Sequence, residues 1–306
     1  MKKVVSVEGV TKVFKGKKAV DDVSFIINSG ESVAILGPKG AGKSTTILMM
    51  LGLLQPTTGN VHLFNDTPNN RKVREKIGAM LQEVSVIDAL KVKEVIQLFR
   101  SYYPNPISFE EIVSLTGLKE EDLKMRADKL SGGQKRRLSF ALALAGDPDL
   151  LFLDEPTVGM DIHSRSSFWK TIQTLKEKGK TIIFCTHYLQ EAEDMADRII
   201  LFHKGKIIAD GSTMDIKRNV SKQTVSFLAN YSYVDVLKIQ PFVSDVHIQD
   251  ERIVVTTDDT DQVLSYLFEK KLNVKDIRVE QGRLDDVFEQ LTLMEVGGVE
   301  TINGAM

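Results

Sequence analysis

The segment GPKGAGKST, Gly37 to Thr45, carries the residue types that hold a polyphosphate. Gly37, Gly40 and Gly42 let the backbone curl so that successive N–H groups point inward at phosphate oxygens. Lys43 has the length to meet the outer phosphates, and the Ser44 hydroxyl is a natural ligand for Mg2+. Pro38, Lys39, Ala41 and Thr45 complete the loop. Two acids, Asp154 and Glu155, end the apolar run LLFLDEP, and His187 follows another apolar run, TIIFCT. A phosphate cradle, two carboxylates and an imidazole are the parts that phosphoryl chemistry uses.

These groups need elements to bring them together. ESVAIL (Glu31 to Leu36) reads as a buried strand and TTILMMLGLL as a helix, so the glycine loop has the strand–loop–helix context of a phosphate-binding loop. The helix dipole adds positive potential at the loop. LLFLD is a continuous apolar run of the kind found in a central parallel strand. Burying Asp154 there costs several kcal/mol unless a cation compensates, and Mg2+ held through Ser44 is such a cation. Glu155 then falls at the carboxyl edge of the sheet, where doubly wound folds keep their ligands. A lone histidine after a strand is commonly a cap or a packed residue, but the position of His187 beside the other strand ends favours the phosphate site.

The chain has 306 residues, 42% hydrophobic and 27% charged, with a net charge of −2. That length suffices for two domains. The near-zero charge gives no electrostatic case for a nucleic-acid partner. The single cysteine, Cys185, sits inside TIIFCT and reads as a buried strand residue in a reducing compartment. The N-terminus lacks the apolar core of a signal peptide. No apolar run reaches the ~20 residues that span a bilayer. The expectation is a soluble protein that meets a membrane only through a partner.

In chain order, residues 4–8 and Val23–Asn28 read as strands, with TKVFKGKKAVDD between them as a polar loop carrying Phe14. An aromatic there is equally compatible with stacking on a base and with packing on its own sheet. VHLF and KIGAMLQE read as further strands, the second ending near Gln82. From about 85 to 130 the spacing turns helical, with a break at YPNPIS, as in a helical insert within an α/β core. In LSGGQ, Ser131 is a good N-cap, and Gly132 and Gly133 leave backbone N–H groups uncovered at a helix start. Taken alone, that motif is also an ordinary capped helix start. A second amphipathic helix with Phe168, Ile172 and Leu175 on one face precedes Gly179, and RIILF and KIIADG form a closing hairpin. From about Val220, four alternating runs interleave with two helix-like pieces, which suggests a small α+β domain. RLDDVFEQLTLME follows as an amphipathic piece, and VGGVETINGAM reads as a disordered tail.

This set resembles the ATP-binding subunit of an ABC transporter over residues 1 to about 216. GPKGAGKST is similar to the Walker A motif of that family, LLFLDEP to Walker B and LSGGQ to the family signature. Gln82 stands where the family has its Q-loop glutamine, Met160–Asp161 where it has the D-loop, His187 at the switch histidine and Phe14 at the adenine-stacking aromatic. The resemblance implies a P-loop ABC ATPase core at 1–216 with a helical subdomain at about 85–140, an α+β accessory domain at 220–295 and a tail at 296–306. It further implies Mg-ATP sandwiched between two subunits packed head to tail. One subunit supplies Phe14, the phosphate loop, Ser44, Asp154 and Gln82 as metal ligands, and Glu155, His187 and Gln82 as the catalytic set. The other supplies Ser131, Gly132, Gly133, Gln134 and Asp161 in trans. Glu155 polarises the attacking water, His187 holds it with the terminal phosphate, and Gln82 passes closure to the insert, which grips a membrane permease. The location implied is the cytoplasmic face of a bacterial membrane. GRLDDVFEQLT resembles the ending of ABC-2 exporter subunits, which points to export and to a C-terminal domain that steadies or regulates the dimer.

Two positions depart from the family pattern. Lys39 stands where asparagine is usual, and screening of exposed charge favours a solvent-facing lysine with little effect. Met160 replaces a leucine and keeps the acid beside it. The rival readings are a soluble ABC ATPase acting on ribosomes or nucleic acid, and a module that binds ATP without hydrolysing it. A single cassette without a long heptad run or CxxC argues against the first, and Glu155 with His187 against the second. The substrate, and whether the two subunits of the dimer are identical, are not encoded in these motifs.

Overall fold

The computed structural model describes residues 2–82, 89–220 and 223–280, and the chain divides into two compact units, Met1–Ser212 and Thr213–Met306. The first unit is built on two sheets. The runs β1 (Lys3–Phe14), β2 (Lys17–Asn28) and β4 (Thr58–Leu63) form an antiparallel sheet in the order β2-β1-β4. The six-stranded sheet has the order β5-β6-β7-β3-β8-β9, where β3 is Ser32–Leu36, β5 Ile77–Met80, β6 Leu150–Asp154, β7 Thr181–Cys185, β8 Arg198–His203 and β9 Lys206–Gly211. Its first five strands are parallel and β9 returns antiparallel, closing the hairpin expected from the sequence.

Every residue of β3, β6 and β7 is buried. Strands covered on both faces read as unbroken apolar runs because neither side meets water. The register aligns Asp154 with Cys185 and Cys185 with Ile35 across β6, β7 and β3. The loops that leave these three adjacent strands therefore emerge side by side at one edge. Between the two sheets, Val5, Val7, Phe25 and Ile27 from one pack with Ile35, Phe152, Ile183 and Phe202 from the other. The helix Lys43–Met50 fills the same core with Ile47, Met49 and Met50. This burial fixes the start of that helix against the end of β3.

The segment TKVFKGKKAVDD is not a loop. β1 continues to Phe14 and β2 starts at Lys17, so a tight turn at Lys15 and Gly16 joins one long hairpin. The strands here hide Val10 and Val20 but leave the lysines in water, and this lysine-rich exterior is what gave the sequence a loop-like look.

The helical insert contains Val92–Arg100, Phe109–Thr116, Glu120–Lys124 and Gly132–Leu144. Its own core joins Val95, Ile96, Ile112, Leu138 and Ala141. Ser108 caps the second of these helices by accepting from Glu111 N, and Gly117 ends it in the left-handed conformation.

The second unit carries a four-stranded antiparallel sheet in the order β11-β12-β10-β13, with β10 at Gln223–Leu228, β11 at Val243–Gln249, β12 at Arg252–Thr257 and β13 at Lys275–Glu280. Alternate residues of β12 are buried, as a sheet with one covered face requires. Leu237 of helix Tyr233–Lys238 and Val263 and Leu267 of helix Thr260–Glu269 pack on Val225, Phe227, Ile253 and Val255. The RLDDVFEQLTLME piece and the tail lie outside the described residues. No helix among the described residues is long and apolar enough to cross a membrane.

Candidate active site

The phosphate loop leaves β3 at Gly37, whose φ of 148° belongs to the region glycine alone enters freely. A Cβ at Gly37 would lie 2.3 Å from the Phe202 carbonyl oxygen. Gly42 caps the following helix at φ 105°, and a Cβ there would sit 2.6 Å from Ala19 O. Both glycines are required by close backbone approach. Ala41 is buried, and its carbonyl accepts from Gly205 N at 3.0 Å, which pins the loop to the β8–β9 turn. Lys43 Nζ donates to Gly37 O at 2.7 Å and to Pro38 O at 3.1 Å, so the cation lies across the loop it follows. Lys39, Gly40 and Ser44 are exposed, and Thr45 is half-buried.

Asp154 ends β6 and is buried. Burial pushes its carboxyl above the usual range and the neighbouring Glu155 charge adds to this. The Ser44 hydroxyl donated to Asp154, together with Lys43 and Arg136, works in the opposite direction. The sequence offers Mg2+ as the compensating cation, and the fold adds two of the chain's own. Arg136, from the LSGGQ helix, is buried and donates from Nη1 to Leu81 O at 3.1 Å, one residue before Gln82. Desolvation lowers its pKa, while Asp154 and Glu155 oppose that shift. In the sequence Arg136 is one of three consecutive cations, Lys135 to Arg137, with nothing in the residue types to set it apart.

Glu155 has left-handed backbone, φ 51°, and its N–H donates to Cys185 O at 3.0 Å. Non-glycine residues in that conformation concentrate at functional sites. The turn aims the carboxylate at the next loop, where His187 Nδ1 lies 2.6 Å from Glu155 Oε2. The half-exposed imidazole and the nearly buried carboxylate thus form one pair at the carboxyl ends of β6 and β7. Gln82 is exposed just past β5, and the segment 83–88 after it lies outside the described residues.

Phe14 is 46% exposed at the end of β1, with Lys12 Nζ 5.2 Å from its ring centroid. An aromatic face open to this degree is available for stacking. Ser131 caps its helix with Gln134 in a reciprocal capping box, Ser131 N donating to Gln134 Oε1 at 2.8 Å. Gln134 Nε2 also donates to Asp122 at 2.6 Å, so this side chain is committed within the helical insert. Ser131 and Gly132 stay exposed, and a Cβ at Gly133 would be 3.9 Å from Gly159 O, next to the D-loop turn. Asp161 caps helix Ile162–Glu177 through Ser164, whose hydrogen bonds hold the carboxyl below the usual range. Arg137 donates to Ser164 Oγ at 2.8 Å, linking the signature helix to the same cap.

Within the first unit the phosphate loop, Asp154, Glu155 and His187 share one edge of the parallel sheet. Ser131, Gly132 and Asp161 instead lie on the insert and the D-loop. Three further residues at this edge, Arg165, Tyr188 and Glu191, were not found from sequence. Arg165 falls in the amphipathic run HSRSSFWKTIQTLKEKGK, and Tyr188 and Glu191 follow His187 without a motif of their own.

Known proteins resemble this chain in sequence and in fold. The ABC transporter family model matches residues 20–158. The chain is 33% identical over 302 residues to a Nod factor export ATP-binding protein I of Rhizobium sp. (strain N33), covering 96% of this chain and 99% of that one. It is 30% identical to the linearmycin resistance ATP-binding protein of Bacillus subtilis (strain 168), covering 94% and 98%. A dimeric post-hydrolysis structure of an ATP-binding cassette bound to ADP and Pi superimposes with TM-score 0.63 at 29% identity, covering 68% of this chain and 98% of that one. An ATP-binding subunit of an ABC transporter gives TM-score 0.65 at 26% identity over 71% and 92%. The chain belongs to the ABC transporter family, as an ATP-binding and ATP-hydrolysing subunit.

Proposed function

We propose that this chain drives an exporter by forming ATP-dependent head-to-tail dimers beneath a membrane permease. The observation that carries the reading is the Glu155–His187 contact at the strand ends beside the phosphate loop. The name of one relative, a Nod factor export ATP-binding protein, supports the direction of transport. In this reading Gly37–Thr45 hold the triphosphate and Phe14 stacks on the base. Glu155 accepts hydrogen-bonding from the attacking water, and His187 orients that water and the terminal phosphate. Ser131, Gly132, Gly133 and the helix N-terminus of the second subunit close over the phosphate, with Asp161 at the same face. Gln134 supports the signature through its cap and Asp122.

The donor set fits a hard divalent cation, because Ser44, Asp154 and Gln82 all offer oxygen and Asp154 is a buried carboxylate beside the loop. Among the described residues no group of three or more His, Cys, Asp or Glu could hold a metal unaided. Mg2+ characteristically completes its shell with phosphate oxygens and water, so this sparse set suits it. When bound, Mg2+ neutralises charge on the phosphates. The protein's own groups position the triphosphate and exclude competing geometries. The membrane association is through the permease, gripped by the helical insert, and the second unit steadies or regulates the dimer.

Purification of the tagged chain from membranes in mild detergent tests this. The expected result is a polytopic membrane protein retained in stoichiometric amount. Retention of ribosomal or DNA-repair proteins, with nothing from the membrane, overturns it.

A further inference from the structure

We propose that Glu191 is a positioning residue for hydrolysis, a buried carboxylate that clamps the loop after Glu155 to the loop before His187. This rests on the reading of Glu155 and His187 as the hydrolytic pair. Glu191 is 6% exposed on the short helix Leu189–Met195. A carboxylate so buried needs strong partners. It has two, both hydroxyls: Thr157 Oγ1 donates to Oε1 at 2.7 Å and Thr186 Oγ1 to Oε2 at 2.6 Å. Both threonines are 1% exposed. Thr157 follows Glu155 through Pro156, and Thr186 directly precedes His187. One carboxylate therefore ties the two catalytic loops together, a bond through each oxygen.

A third side chain closes the assembly into a ring. Arg165 Nε lies 3.6 Å from Glu191 Oε1, and its guanidinium carbon sits 4.3 Å from the centroid of Tyr188. Tyr188 in turn packs on His187 at 4.1 Å between ring centroids, and its N–H donates to Thr186 Oγ1 at 3.0 Å. The circuit runs Glu155, His187, Tyr188, Arg165, Glu191, Thr157 and back to Glu155. Arg165 itself stands on the first turn of the helix that Asp161 caps. Geometry at a reacting centre is unforgiving, and a misplacement near 1 Å costs about 100-fold in rate. Glu191 never touches the reacting atoms. It fixes where Glu155 and His187 meet.

The test uses steady-state ATP hydrolysis by the purified full chain, with Glu191→Ala and Glu191→Gln each made alone and in a His187→Ala background. Glu191→Ala is expected to lower kcat about tenfold with the KM for ATP changed less than about threefold. Glu191→Gln keeps one acceptor and presents a donor toward the second threonine, so a loss of about two- to threefold is expected. In the His187→Ala background either change should alter kcat by less than about twofold, because the clamp acts through the pair already broken. A wild-type kcat in Glu191→Ala overturns the proposal. So does a rise in KM alone, or an undiminished loss in the His187→Ala background, which marks a general packing role. If Glu191→Ala fails to fold, the same comparison with Glu191→Gln decides. Glu155→Gln is assayed alongside: near-normal turnover there removes the underlying reading, a result distinct from failure of the clamp.

Discussion

His187 Nδ1 lies 2.6 Å from Glu155 Oε2, joining the ends of two neighbouring parallel strands by a side-chain bond. The contact exists because Glu155 takes left-handed backbone at the end of β6 and so faces the loop leaving β7. In the proposed function the imidazole holds both the carboxylate and the terminal phosphate, organising the attack without carrying it out. His187→Ala is expected to lower kcat by about 100-fold, with ATP affinity in fluorescence titrations close to that of the wild type. Weak binding together with normal kcat would place His187 in ATP capture instead.

Motifs made the centre of this site legible from sequence. GPKGAGKST, LLFLDEP and LSGGQ bind backbone geometry to fixed residue types, so their positions carry over to structure. What stayed hidden depends on side chains meeting across the fold. Glu191 and Arg165 belong to no motif, yet one is buried against two threonines and the other stacks on Tyr188. Arg136 sits in a basic run whose other members, Lys135 and Arg137, are only half-buried. The hairpin around Phe14 was obscured for the opposite reason: its lysines are exposed, and the buried alternation of Val10 and Val20 is too sparse to signal a strand.

Arg136 offers a test of how Asp154 is compensated. With nucleotide absent, Arg136→Gln removes a buried cation facing two carboxylates and is expected to cost about 1–3 kcal/mol of stability. In the proposed function the Mg2+ that accompanies ATP supplies a second cation for Asp154, so with saturating Mg-ATP the gap in melting temperature should narrow. An equal gap with and without Mg-ATP would show that Arg136 serves packing alone.

The glycine loop tolerates change unevenly. Gly40 has φ 84° with open space around it, so Gly40→Ala should cost only the left-handed backbone penalty of about 1–2 kcal/mol. Gly37→Ala meets the Phe202 carbonyl at 2.3 Å and must displace backbone, so both melting temperature and ATP binding should fall further. Equal effects of the two substitutions would contradict this ordering.

Cys185 is fully enclosed in β7, and burial, with the Asp154 charge beside it, pushes the thiol well above its usual pKa. Only the thiolate reacts. The folded protein should resist thiol reagents at neutral pH and react after unfolding in denaturant. Rapid labelling of the native chain would mean that the β6–β7–β3 edge opens readily.

If Glu155 completes a site which only a second subunit can close, Glu155→Gln should separate ATP-driven dimerisation from turnover. Turnover and oligomeric state are measured on one sample with Mg-ATP, by phosphate release and by size-exclusion chromatography with light scattering. Turnover should fall about a thousandfold, with the variant held as a dimer by ATP and returning to monomer when ATP is removed. Near-normal turnover, or a monomer in saturating Mg-ATP, would contradict it.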